Sequence, residues 1–197
     1  MSAAAARVIA TALVVLGGFA VATAPDSAVI TKTFDVPALI GESTQSRWGS
    51  VDVASVSLSP ELVLDDPAGF PPSTERRESA GLWVVIDVTV TSRQDSVSLG
   101  GSRLEVGERQ FSSVETITPS LASFSVGPGV PVSGTVVFEI PADALEADSA
   151  RMAIVRLAPS VFTRALDDEF VTTVDLRSAP MRDSITVSPA EIIGVSP

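Results

Sequence analysis

Gly81-Leu82-Trp83-Val84-Val85-Ile86-Asp87-Val88-Thr89-Val90-Thr91 is the stretch whose reading decides the fold. Leu82, Val84, Ile86, Val88 and Val90 fall on one side of an extended chain, and Trp83, Asp87, Thr89 and Thr91 on the other. Period-two alternation in β-branched residues predicts a central strand with the leucine–valine side inward. Ile86 is placed at its buried centre, and Asp87, Thr89 and Thr91 toward solvent. Trp83 and Val85 share the mixed side, so they mark a candidate partner surface; Trp48 is a second candidate ligand platform.

Outward from that strand the pattern is strand, turn, strand. Upstream, Arg47 to Leu58 alternates, but Val51 and Val53 differ in parity from Val56 and Leu58, which calls for a β-bulge near Ala54-Ser55. Asp65-Asp66-Pro67-Ala68-Gly69-Phe70-Pro71-Pro72 and the charged Glu75-Arg76-Arg77-Glu78 read as one long loop. Downstream, a polar turn at Ser92-Arg93-Gln94-Asp95 leads to short strands at Val97–Leu99, Arg103–Val106 and Gln110–Val114. A long loop, Pro119 to Val130, ends in Gly127-Pro128-Gly129. Val132 to Ile140 then alternates with Val132, Val136, Phe138 and Ile140 inward, Pro141 stops it, and Ala142 to Ala147 makes one helical turn. Arg151–Leu157 and Glu169–Leu176 complete the set. The expectation is an all-β, immunoglobulin-like antiparallel sandwich over residues 47–178, a stalk with a candidate first strand over 25–46, and a C-terminal tail over 179–197.

Val8 to Ala24 carries no charge, follows Arg7 and precedes Pro25-Asp26. As a helix it spans roughly 25 Å, at the short end of what crosses a bilayer. It is apolar all round, unlike the amphipathic helix of a soluble core. Residues 1–24 are therefore expected to target the membrane, with the N-terminus in the cytoplasm and the rest of the chain outside. Ala20-Val21-Ala22 and Ala22-Thr23-Ala24 have the small-x-small form of a signal-peptidase site, so two outcomes stand: a retained single-pass anchor, or secretion after cleavage.

Two segments resemble the DUF4352 family of extracytoplasmic, telokin-like immunoglobulin-like domains of Gram-positive bacteria. They are Gly81 to Val90, a glycine entering a Val-rich strand, and Gly129 to Pro141, a Pro-Gly turn leading into a strand closed by proline. The chain departs from the family's pattern at Ser92, where members often carry asparagine. The resemblance covers roughly 47–176 and implies the fold and an envelope location. The family has no agreed activity, so it carries over no site residue.

Composition closes most routes to chemistry. A net charge of −11 over 197 residues is the wrong sign for nucleic acid, whose binders need a basic footprint. There is no cysteine and no histidine, which removes thiol and imidazole catalysis and zinc or copper sites. A Ser-Lys dyad would have to use Lys32, the single lysine, in the stalk. Gly127-Pro128-Gly129 precedes a strand, not a helix, and so reads as a turn and not a phosphate loop. Asp65-Asp66 and Asp167-Asp168-Glu169 read as solvated loop charges without the spacing that wraps a calcium ion. Spacing alone does not exclude a carboxylate pair for glycosyl hydrolysis, which is set aside because the sequence shows no cleft-forming elements. The functional expectation is a non-catalytic module without cofactor or metal, accessory to another envelope protein or a cell-wall component. The alternative is a structural spacer with no specific ligand.

Overall fold

The structure, a computed structural model, describes residues 33–66, 73–118, 120–159 and 168–194. In chain order the strands are β1 Phe34–Pro37, β2 Ser43–Gln45, β3 Gly49–Asp66, β4 Ser73–Ser92, β5 Arg103–Val106 and β6 Arg109–Ser112. They continue as β7 Val132–Ile140, β8 Ala153–Leu157, β9 Asp168–Val174, β10 Ser184–Val187 and β11 Glu191–Ile192. One sheet has the order β1-β9-β8-β5-β6; the other has β10-β3-β4-β7-β11, with β2 added on β3. The protein is an all-β sandwich of these two sheets. The expectation of wholly antiparallel sheets is corrected, because β1 runs parallel to β9 and β10 parallel to β3. Both parallel pairs join segments far apart in sequence, where the intervening chain gives room for the return.

The quoted stretch is the second half of β4. Val84, Ile86, Val88 and Val90 are at most 1% exposed, Asp87 is exposed, and Thr89 and Thr91 are half-buried, so the register is as read. Leu82, at the start, is only half-buried. The inward side chains of β3, β4 and β7 meet Leu104, Val155, Leu157 and Phe170 of the facing sheet in one core. The pairing of β3 with β4 shifts register between Val53 and Ser55, which is the bulge the parity change requires. Gly81 is forced by sterics: a Cβ there would stand 2.2 Å from the Ile140 carbonyl oxygen, where β4 crosses the end of β7.

Three expectations change. Residues 73–80 are strand, not loop: Leu62, Val63 and Leu64 of β3 pair with Arg77, Arg76 and Glu75 of β4. Their charges sit on a strand, where Arg76 meets Glu61 at 2.6 Å and Arg77 meets Glu75 at 3.1 Å. Residues 67–72, the remainder of that loop, lie outside the described residues. The second change is at the C-terminus, where the expected tail carries β10 and β11, with Ile185 and Val187 buried. The third follows from it. Trp83 is 3% and Val85 1% exposed, because Leu62, Leu64, Ile117, Val137, Ile185 and Val187 build a second apolar cluster over that side. The candidate partner surface at Trp83 and Val85 is therefore interior. The helical turn after Pro141 is a 3-10 turn at Ala142–Leu145.

The apolar segment 8–24 lies outside the described residues. Among the described residues no helix is long and apolar enough to cross a membrane.

Candidate functional site

The start of β3 and the end of β4 are paired, Gly49 opposite Ser92, and this fixes one end of the sandwich. Their approach is close: a Cβ on Gly49 would lie 2.2 Å from the Thr91 carbonyl oxygen, so only glycine lets Trp48 swing in beside the strand end. Trp48 is half-buried. Its Nε1 donates to the Asp168 carbonyl oxygen at 2.9 Å, and its ring meets Phe170 edge-on, centroids 5.1 Å apart. The beginning of β9 is thereby pinned to the beginning of β3 across the two sheets.

Arg47 completes the clamp. Its backbone N–H donates to Asp168 Oδ2 at 2.7 Å, and its guanidinium reaches Oδ1 through Nε at 2.9 Å and Nη2 at 2.7 Å. The same guanidinium lies over the Phe34 ring, 4.9 Å from its centroid. Burial pushes the Asp168 carboxyl up, but the hydrogen bonds and charge of Arg47 outweigh it and hold the group below the usual carboxylate range.

Beside this clamp a cleft of about 440 Å³ opens at the loop end of the sandwich. Arg47 and Trp48 form one wall, and the polar segment after β4 supplies Gln94, Asp95, Ser96 and Ser98. The segment before β7 brings Ser123 and Ser125, and Pro159 closes the side toward β8. Ser92 donates to the Asp95 carbonyl oxygen and Ser123 Oγ donates to the Ser120 carbonyl oxygen at 3.1 Å, so these hydroxyls shape the loops. Ser96, Ser98 and Ser125 also line the cleft, and their hydroxyls have no hydrogen-bond partner among the described residues.

A second polar assembly lies on the five-stranded sheet. Asp168 and Glu169 are not solvated loop charges: they open β9, with Asp168 at 7% and Glu169 at 0% exposure. Asp167 lies outside the described residues. Arg103 Nη2 donates to Glu169 Oε2 at 2.7 Å and Arg156 Nη1 to the same oxygen at 3.3 Å. Arg156 also reaches Glu105 at 2.9 Å and Asp35 at 2.8 Å, while Glu169 Oε1 is buried without a partner. Burial lowers the Arg156 pKa, but the Asp35 hydrogen bond and the charges of Glu105, Asp35 and Glu169 raise it further, so it stays ionised. These acids are neutralised from within the protein. Asp65 is at the end of β3, where its Oδ1 accepts from Thr74 at 3.3 Å. Among the described residues no three carboxylates converge as a metal site would require.

The candidates read from the sequence thus divide. Trp48 lies in the cleft wall, while Trp83 and Val85 are core. Arg47, Gln94, Ser96, Ser98 and Ser125 were missed. The serine-rich run Ser92 to Ser98 is a visible polar signal, but its meeting with Arg47 and Ser125 is a consequence of topology.

No family model matches the chain, and no curated protein matches it. The DUF4352 resemblance therefore gains no support from that comparison. Among solved structures, an uncharacterized beta-sandwich protein from Clostridium difficile 630 is similar at 12% identity and TM-score 0.48, covering 72% of this chain and 95% of that one. The yjhA protein from Bacillus subtilis is similar at 15% identity and TM-score 0.45, covering 69% of this chain and 98% of that one.

Proposed function

We propose that this chain is a non-catalytic, extracytoplasmic binding module, an immunoglobulin-like domain of the DUF4352 type carried at or across the membrane by residues 8–24. Its role is to engage another component of the envelope, protein or cell wall. The observation that carries the reading is the cleft at the loop end of the sandwich, lined by hydroxyls unpartnered among the described residues and by the Trp48 indole, which rigid strands hold. Such concave sites, formed by loops on a stable scaffold, are where sandwich domains bind. Among the described lining residues Asp95 is the single carboxylate, which favours recognition over acid–base chemistry.

The spacer reading draws on a different observation. The charged assembly around Glu169 is satisfied largely internally, as expected of a face that presents nothing specific to a partner. The two readings part in one experiment. The full chain and a variant with the cleft filled, Ser125→Trp, are used as bait against a detergent extract of the producing organism's envelope and against its purified wall. A component retained by the wild type and lost with the filled cleft is the expected result. Equal retention by both, or none, leaves the spacer. Carbonate extraction of the full chain tests the membrane claim; an uncleaved chain recovered in the supernatant would refute it.

A further inference from the structure

We infer that the cleft takes a neutral, hydroxyl-rich ligand, a short segment of uncharged oligosaccharide, with the Trp48 indole as its stacking wall. The inference rests on the cleft being the binding site and adds the class of ligand. It follows from what the lining offers and from what it has already committed.

An anionic ligand needs a cation, and the one cation among the described lining residues is Arg47, which is engaged three ways with Asp168 and lies over Phe34. The Arg47–Asp168 pair is locally neutral, Asp95 adds a negative charge, and the whole chain carries −11, so a polyanion meets repulsion on approach. Among the described lining residues a cationic ligand would find only the exposed carboxylate of Asp95. A single solvent-exposed charge pair contributes too little to define a site. An apolar ligand would displace water from three free serine hydroxyls and the Gln94 amide without replacing those hydrogen bonds.

A sugar matches this set. Each serine hydroxyl donates one hydrogen bond and accepts two, and the Gln94 amide both donates and accepts. Every sugar hydroxyl has the same dual character, so either partner can rotate to pair with the other. Trp48 supplies the remaining element. Its Nε1 is tied to Asp168 and its ring rests against Phe170, so the indole is fixed before any ligand arrives. The C–H face of a pyranose can pack on such a ring while its hydroxyls reach Ser96, Ser98 and Ser125. The cleft's volume of about 440 Å³ gives room for a short oligosaccharide.

The chain contains a built-in reporter. Of its two tryptophans, Trp48 lines the cleft and Trp83 is 3% exposed in the second apolar cluster. The test titrates the full chain, in a detergent without a sugar headgroup, with cellotetraose, N-acetylated chitotetraose and mannotetraose. A hyaluronan tetrasaccharide and deacetylated chitotetraose serve as anionic and cationic counterparts. Saturable change in tryptophan emission with at least one neutral saccharide is expected, abolished in Trp48→Phe and retained in Trp83→Phe. The double variant Ser98→Ala, Ser125→Ala should keep the wild-type melting temperature, since neither hydroxyl bonds to another described residue, and should weaken binding about tenfold or more. The proposal fails if no neutral saccharide binds, if a charged one binds more tightly, or if the double serine variant binds unchanged. If the filled-cleft variant still loses an envelope component in that case, the binding reading survives and only the ligand class falls. If it loses nothing, both fall.

Discussion

Replacing Trp83 by alanine separates a surface residue from a core residue by a wide margin. Its neighbours Val85, Val137, Leu62 and Val187 form a cluster outside the main core, and its Nε1 donates to the Arg77 carbonyl oxygen at 3.1 Å. An aromatic side chain of this size removes roughly 150–250 Å² from water. At about 25 cal/mol per Å² that is about 4–6 kcal/mol, an upper bound because the unfolded chain is itself partly collapsed. Buried tryptophan-to-alanine changes fall at about 3–5 kcal/mol, and Trp83→Ala should lie in that range. The hydrogen bond accounts for a smaller share, so Trp83→Phe should lose about 1–2 kcal/mol. The assay is equilibrium urea unfolding of the chain lacking its first 24 residues, followed by far-ultraviolet circular dichroism so that loss of the fluorophore does not matter. Truncation before Ser184, which removes Ile185 and Val187, should reduce the penalty of Trp83→Ala, because the cluster is then already open. A Trp83→Ala cost below about 1 kcal/mol would place the indole at the surface and refute the second cluster.

Ile86→Ala, at 0% exposure in the main core, should cost about 2–5 kcal/mol in the same urea assay. Glu169→Ala should cost about 2–3 kcal/mol by removing the buried carboxylate that Arg103 and Arg156 share, both of which keep Glu105, whereas Glu61→Ala, whose partner Arg76 is 72% exposed, should cost at most about 1 kcal/mol; equal costs would contradict the burial of Glu169. The lowered Asp168 pKa adds stability that is present above the ordinary aspartate value near ~3.9 and is lost as pH falls through the folded value. Thermal melts between neutral pH and strong acid should therefore show a shallower acid decline in Asp168→Asn than in the wild type, with the variant already weaker at neutral pH.

The alternation of Val84, Ile86, Val88 and Val90 determined a central strand by itself, because a period of two admits one extended register that buries all four on one side. The parity break between Val53 and Val56 determined the bulge for the same reason, and Val132 to Ile140 determined β7. Composition alone removed thiol and imidazole chemistry. What alternation cannot encode is what lies on the other face of a strand. Trp83 and Val85 read as surface because their covering, Ile185 and Val187, comes from a segment about a hundred residues downstream whose short strand has too few residues to show a period. Glu75, Arg76 and Arg77 read as loop because charge and strand are statistically opposed, yet an outward-facing hairpin strand takes both. Asp168 and Glu169 read as solvated because the sequence does not show that Arg47, Arg103 and Arg156 converge on them across strand pairings. The cleft is the extreme case. Trp48, Ser98 and Ser125 become one surface only when β3, β4 and the approach to β7 end at the same pole, and that proximity is set by long-range hydrogen-bonded pairing, which no local pattern carries.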